Sequence, residues 1–285
     1  MVPLPHPFKK LLFGFAFSPS LQHNLHEVTR LAHYFNAELV LLHVGEKTDE
    51  KKHSLKSLLE QIEFKEVPIS VHWELGKPEA VILEACTRFQ IDLLVLGALQ
   101  HENIYQYYVG TLARKLTRKV NCSVLLLIKP STERVPCQHI VVNGLDAPET
   151  PVAIMDAFYA AYALGAKQIT IVEEIQPREI HVAVEDDKSL EQATLMKKKL
   201  KMREDQRVRK ILDDLPEEFT SGVRIKMQSI FGRSGYSIGH YAEVVRADLL
   251  VMNAPENSSL LDRIFPHDIE YILSDLPTDL LIIRK

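Results

Sequence analysis

The sequence of 285 residues has no uninterrupted apolar run of the roughly 18–20 residues that a helix needs to cross a bilayer, so no membrane partner is expected. It has only three cysteines, Cys86, Cys122 and Cys137, and no Cys-x-x-Cys pair. An odd, widely spaced set argues against a disulfide scaffold or a zinc cluster and fits a reducing cytoplasm. Neither sign of charge dominates: 34 Lys and Arg face 38 Asp and Glu, a net charge of −4, so nothing global draws the chain to nucleic acid. The opening MVPLPHPFKK lacks the charged and apolar regions of a secretion signal. Gly-x-x-x-x-Gly-Lys-Ser/Thr, Gly-x-Gly-x-x-Gly and Gly-x-Ser-x-Gly are all missing. These absences count against a P-loop ATPase, a dinucleotide-binding unit and an esterase nucleophile elbow.

What is present is a repeat. IDLLVLGALQ (Ile91–Gln100) recurs as ADLLVMNAPE (Ala247–Glu256), and NCSVLLLIK (Asn121–Lys129) as PTDLLIIRK (Pro277–Lys285), both at an offset of 156. NAELVLLHV (Asn36–Val44) recurs as GAKQITIVE (Gly165–Glu173) at an offset of 129. Short Leu/Val/Ile runs, such as KLLFGFAF, ELVLLHV and DLLVLG, alternate with segments of helical periodicity. That alternation predicts parallel sheet covered on both faces. The break between copies falls at PSTERVPC (Pro130–Cys137), which predicts domains over 1–131 and 136–285. The change of offset places the extra length of the later copy between its second and third strands, in a charged inserted helix over about 190–215.

Three features carry a resemblance. GKPEAVILEACTRFQIDLLVLG (Gly76–Gly97) is a Gly-x-Pro-led helix running into a buried strand, and ARKLTRKVNCSVLLLI (Ala113–Ile128) is a helix, a small polar linker and a hydrophobic strand. Gly97, Gln100, Gly110 and Thr111 fall on the spacing Gly, two residues, Gly, nine residues, Gly, Ser or Thr. In these features the sequence resembles the universal stress protein family (UspA-like), as a tandem two-domain member, over essentially its whole length. The resemblance implies two tandem doubly wound parallel five-stranded sheets, each of strand order 3-2-1-4-5 and akin to adenine nucleotide alpha hydrolases. Ligands of such sheets bind where the strand order reverses. The apolar last strands would join the halves as an intramolecular pseudo-dimer, and homo-oligomers are also expected. One continuous sheet would count against two separate units.

The resemblance also implies a ligand, an adenine nucleotide, with ATP (and Mg) as the one cofactor to expect. Glycines admit backbone N–H groups close to phosphate oxygens, and a helix N-terminus adds partial positive charge. Gly97, Gln100, Gly110 and Thr111 would contact phosphates and ribose, while Val44 and Leu96 would line the base pocket. The sequence departs from the family pattern at Gln100, where the second Gly belongs, and at Ala16, where nucleotide-binding relatives carry Asp. In the later copy the signature positions hold Asn253, Glu256, Pro266 and His267. Pro266 has no N–H to donate, Glu256 repels phosphate, and Leu145 takes the Asp position with Asp146 one residue late. No nucleotide is expected there. The function implied is that of a cytoplasmic stress-response protein, a binding or signalling module more than an enzyme. The alternatives are a low-turnover ATP- or adenylate-handling hydrolase using Thr111, His101 or Glu102, and a structural scaffold that uses the inserted helix.

Other candidates have plainer explanations. His23, His26 and His33 share a helix face without carboxylates or thiols to complete a metal site. His43 in a strand reads as packed. The basic run Lys197–Lys210 is flanked by acids and has no aromatics to stack bases, so it reads as a solvated helix face and no nucleic acid is expected. Tyr105, Tyr107 and Tyr108 lie in the signature loop, where they would fill the cleft, pack between the halves or stack on a ligand. GRSGYSIG (Gly232–Gly239) follows a strand and reads as a turn into a tightly packed helix.

Overall fold

The computed structural model describes residues 4–100, 107–176, 179–180, 185–232, 235–254 and 267–284. The N-terminal half runs β1 (Lys10–Phe15), α1 (Leu21–Tyr34), β2 (Glu38–Val44), α2 (Asp49–Glu60), β3 (Ile69–Glu74), α3 (Pro78–Arg88) and β4 (Leu93–Gly97). It continues with β5 (Leu99–Gln100), β6 (Tyr107–Tyr108), α4 (Thr111–Lys119) and β7 (Ser123–Leu127). The C-terminal half runs β8 (His139–Asn143), α5 (Thr150–Leu164), β9 (Gln168–Ile175), α6 (Asp187–Asp213), α7 (Glu217–Thr220) and β10 (Arg224–Phe231). It ends with α8 (Tyr236–Val244), β11 (Leu249–Asn253), α9 (His267–Ser274) and β12 (Asp279–Ile283).

The main strands form one ten-stranded sheet, in the order β10-β9-β8-β11-β12-β7-β4-β1-β2-β3. The expectation of two separate sheets is therefore corrected. Every neighbouring pair is parallel except β7 and β12, which run antiparallel with Leu126 opposite Leu280, Leu125 opposite Leu281 and Val124 opposite Ile282. The physical reason lies in the two strands themselves. β7 is buried along its whole length and β12 from Leu280 to Ile283. An apolar edge with unpaired backbone groups is a liability that pairing removes. The ends of this ladder are clasped reciprocally: Ile128 N–H donates to Asp279 Oδ1 at 2.8 Å, and Arg284 N–H to Ser123 Oγ at 3.1 Å.

The faces are covered as the alternation of strand side chains dictates. Leu93 and Val95 of β4 belong to the core beneath α1, α2, α5, α6 and α7, while Leu94 and Leu96 belong to the core beneath α3, α4, α8 and α9. α5 is apolar nearly all round and is the most enclosed helix described, with Ala153, Ile154, Ala157, Phe158, Ala160 and Ala161 all at 0% exposure. The halves also meet outside the ladder. On one face Phe8 and Phe35 pack against Tyr159, whose hydroxyl donates to Phe35 O at 2.9 Å. On the other, Val109 N–H donates to Leu273 O and Leu276 N–H to Tyr107 O, each at 2.9 Å.

Two local features refine the repeat. Asp92 Oδ2 accepts the N–H groups of Lys9 and Lys10, and Asp248 Oδ2 those of Gln138 and His139, so the same carboxylate holds the first strand of each half. The offset of 129 fails inside the second strand, because Lys10 pairs with Glu38 whereas His139 pairs with Gln168, an offset of 130. Lys167 and Gln168 both donate to Gln138 O, and this doubled donation absorbs the extra residue. The long α6 lies between β9 and β10 as α2 lies between β2 and β3, so the added length extends a crossover helix.

One continuous sheet couples the halves. Leu280, fully buried in β12, lies in the half opposite to Trp73, the only tryptophan. Leu280→Ala should destabilise by about 2–5 kcal/mol. In urea, the Trp73 fluorescence midpoint and the far-UV circular dichroism midpoint should fall together. An unmoved Trp73 transition would show that the halves unfold independently.

Candidate functional site

In the N-terminal half the strand order reverses between β1 and β4, and the loops after their C-terminal ends define a crevice. β1 ends at Phe15, and Ala16 beyond it is exposed. Gly97 ends β4 and is exposed too. A Cβ on Gly97 would lie 3.6 Å from Asn24 Oδ1, in the first turns of α1. Asn24 Nδ2 donates to Ser20 O at 2.9 Å, whereas its buried Oδ1 has no partner among the described residues. The crevice thus contains an unused hydrogen-bond acceptor beside a glycine. No motif pointed to Asn24; an amide one turn into the helix after β1 is its only sequence signal.

The antiparallel pair β5–β6 matches Leu99 with Tyr108 and Gln100 with Tyr107. That register brings Gly97 and Gly110 to the same end of the pair, two residues beyond Leu99 and Tyr108 on either side. Gly110 is the N-cap of α4 with φ −64° and ψ 163°, so the N-cap has no side chain to cap the helix, and the first turn carries no acid. Thr111, the first helical residue, is exposed. Among the described residues no side chain is seen at the first-turn N–H groups, which with the helix dipole make the positive end of α4. Gln100 sits in β5, while His101, Glu102 and Tyr105 lie outside the described residues. Leu96 is 7% exposed and packs with Val81 and Ile82 of α3, and Val44 packs against the same cluster. The two residues expected at the base are brought to one face of the sheet.

The aromatics near the crevice are committed elsewhere. Lys129 Nζ lies over the Tyr107 ring at 5.5 Å, and Tyr107 bridges to Leu276 in the seam between the halves. His43 Nδ1 lies 3.0 Å from Phe15 O, and its ring is enclosed by Phe15, Phe17 and Trp73. Gly45 (φ 155°) leaves room for that ring, since a Cβ there would sit 2.9 Å from His43 Nε2. Among the described residues no group of three or more His, Cys, Asp or Glu is arranged to hold a metal.

The corresponding strand ends of the C-terminal half are closed by the chain's own side chains. Arg207 of α6 donates to the carbonyl of Gly144, just past β8, and lies 3.5 Å from that of Leu145. Its Nε holds Glu204 at 2.9 Å and faces Asp146 at 3.6 Å. Asn253, at the end of β11, donates to Thr150 Oγ1 at 2.8 Å, and Thr150 donates in turn to Leu145 O. Six residues along β9 from Gln168, where Val44 stands six along β2 from Glu38, is Glu174. Its carboxylate accepts from Gly235 N–H at 2.9 Å and Ile238 N–H at 2.8 Å, so a built-in anion fills the α8 N-terminus. Glu256 and Pro266 lie outside the described residues, and His267 begins α9. Sequence reasoning overlooked Arg207, Glu173 and Glu174. Two adjacent carboxylates closing the buried strand QITIVEEI were the available signal.

Glu173 is 2% exposed; Ser229 Oγ donates to its Oε2 at 3.0 Å, and Oε1 has no partner among the described residues. Burial, and then the Asp205 and Glu204 carboxylates, push it up to about 7.

Residues 7–127 match the model of the Universal stress protein family. No curated protein matches the chain. A putative universal stress protein from Pseudomonas aeruginosa UCBPP-PA14 superposes with a TM-score of 0.68 at 15% identity, over 97% of this chain and 93% of that one. A universal stress protein from Archaeoglobus fulgidus DSM 4304 does so with 0.66 at 13%, over 96% and 98%. The cytoplasmic domain of a prokaryotic cation chloride cotransporter reaches 0.53 at 17%, over 97% and 96%. At these identities the likeness is one of fold: a mixed α/β, mostly parallel sheet. No described helix is long and apolar enough to cross a membrane.

The raised Glu173 gives stability a pH dependence of definite sign. Between its unfolded value of 4.5 and about 7 the folded state holds a proton that the unfolded state has lost. Stability must therefore fall as pH rises through that window. Glu173→Gln should flatten this slope and raise stability at pH 8 by up to about 3 kcal/mol, with little change at pH 4. Urea unfolding at both pH values measures it, and an equal gain at each would contradict the assignment.

Proposed function

We propose that the chain is a tandem pair of universal-stress-type modules, over 1–131 and 136–285, each a five-stranded unit of order 3-2-1-4-5. The pair works in the cytoplasm as a nucleotide-responsive binding or signalling protein. An adenine nucleotide occupies the N-terminal crevice, and the C-terminal one takes none. The observation that carries this reading is the contrast between the strand ends. Among the described residues, the first pair leaves Gly97 exposed, Asn24 Oδ1 without a partner and α4 with only a glycine N-cap. The second is filled by Arg207, Thr150 and Glu174. The family match over residues 7–127 supports the same half.

The residues present fit an anionic nucleotide in one respect and shape it in another. The N–H groups at Gly110 and Thr111 and the Thr111 hydroxyl would hold phosphate oxygens, because an uncapped helix N-terminus is an anion site. With Ala16 in place of a carboxylate, a base or ribose N–H or O–H would donate to Asn24 Oδ1 instead. Magnesium would arrive with the nucleotide, since among the described residues no carboxylate pair stands at these strand ends. Bound ATP supplies charge and bulk that stiffen the β5–β6 region, and this chain's part is to grip and orient it.

Titration with Mg-ATP, ADP and AMP followed by thermal denaturation tests the reading. At 100 times its dissociation constant the ligand should stabilise by about 2.7 kcal/mol. Thr111→Asp places a negative charge at the phosphates while favouring the α4 dipole, so it should weaken binding at least tenfold without loss of stability. Absence of any shift at millimolar nucleotide would remove the ligand and leave an interaction scaffold.

A further inference from the structure

A cavity of about 460 Å3 lies over the seam where β7 and β12 meet, on the face covered by α1 and α5. This volume is within the roughly 300–1,000 Å3 of small-molecule sites. Its floor is apolar sheet, formed by Leu93, Leu125 and Leu127 of one half and Leu249 and Leu281 of the other. The linker between the halves, Pro130 to Cys137, closes one side. The linker is anchored there by Arg30, 5% exposed, which donates to Thr132 O at 2.8 Å and Ser131 O at 3.3 Å and pairs with Glu27 at 3.0 Å. The lining does not include Asn24, Gly97, Gly110 or Thr111, although Leu127 of the floor is the ladder partner of Gly97.

Its polar character is set by Asp279 at the start of β12, whose Oδ1 takes the Ile128 N–H. The equivalent clasp in the other half uses the uncharged Ser123, so holding the ladder does not itself require an acid. Two groups beside the floor sense the same field. Burial, then the carboxylates of Glu27 and Asp248, push Asp279 up to about 7. Burial, then Asp248 and Asp279, push the Cys137 thiol up. Of the cations in the lining, Arg30 is held by Glu27 and the linker carbonyls, Arg134 lies over the Tyr34 ring at 5.3 Å and Lys129 over the Tyr107 ring at 5.5 Å, while Arg246 is exposed at the turn after α8.

We propose that this cavity binds a small amphipathic amine, its apolar body on the leucine floor and its ammonium group against Asp279. An ammonium there would supply the opposite charge that this carboxyl lacks and relieve its raised affinity for a proton. The leucine floor favours the apolar tail without directional demands. The occupant would touch both halves and the linker, so binding would stiffen the junction.

Matched ten-carbon probes test this: decylammonium, decanol and decanoate, each below its micelle concentration, added to the full chain. Calorimetry should show decylammonium binding at least tenfold more tightly than decanoate. Alkylation of Cys137, resolved by peptide mass spectrometry, should slow at least fivefold in its presence. Asp279→Ser, which installs the other half's clasp residue and so keeps the fold, should cut decylammonium affinity at least tenfold and leave decanol unchanged. Equal binding of amine and carboxylate, an amine preference that survives Asp279→Ser, no binding of the amine, or binding without protection of Cys137 would each overturn the proposal.

Discussion

A ladder of three residue pairs, between Val124–Leu126 of β7 and Leu280–Ile282 of β12, sets the arrangement of everything else. Each half is parallel within itself, so its strand-end loops all open at one edge of the sheet. Because the ladder is antiparallel, the two sets of loops open at opposite edges. The clefts therefore cannot share a ligand, and each half had to settle its own strand ends. The same ladder brings the leucines of both halves side by side, leaves a linker to span them and creates the junction cavity. The clasps at its two ends, Asp279 on Ile128 and Ser123 on Arg284, use different side chains for one task. That difference adds a carboxylate to the junction, beside those of Glu27 and Asp248.

The strand ends of the two halves illustrate how one scaffold reaches opposite outcomes. In the first, small residues and a glycine N-cap stand at the strand ends beside the buried Asn24 Oδ1. In the second, a crossover helix of 27 residues, against 12 in the first, carries Arg207 onto the carbonyls after β8. Glu174 takes the register position of Val44 and puts a carboxylate at the N-terminus of α8, the counterpart of α3. An internal ion of fixed position costs no translational entropy on each encounter, so it outcompetes any dilute ligand of like charge. The price of that closure is the buried Glu173, its pKa raised by that burial and then by the Asp205 and Glu204 carboxylates, and with one oxygen unpartnered among the described residues.

Much of the fold was legible. DLLVLG and SVLLL read as buried strands because a parallel sheet covered on both faces needs apolar residues at every position. Gly76-Lys77-Pro78 read as a helix start because proline is tolerated only in the first turn, and α3 begins at Pro78. The site was legible in part: the glycines at 97 and 110 follow from spacing, and the β5–β6 register brings them to one end. Asn24 was not legible, since an amide acquires meaning only from what it faces. The alignment of the second strands slipped by one residue, because apolar strands match almost equally well in neighbouring registers. That slip hid Glu174 behind Glu173, and with it the carboxylate at the α8 N-terminus.

Local chemistry in the sequence determined which segments are strands and helices, that similar segments recur at an offset of 156, and that Gly97, Gly110 and Thr111 have no like residues at Asn253, Pro266 and His267. These are properties of short windows, where propensity and periodicity act directly. Only the tertiary structure decided that ten strands make one sheet, that Arg207 and Glu174 close the second crevice, and that Asp279 faces an apolar cavity. Each of these depends on residues far apart in the chain, held by pairing and burial energies that no single window contains.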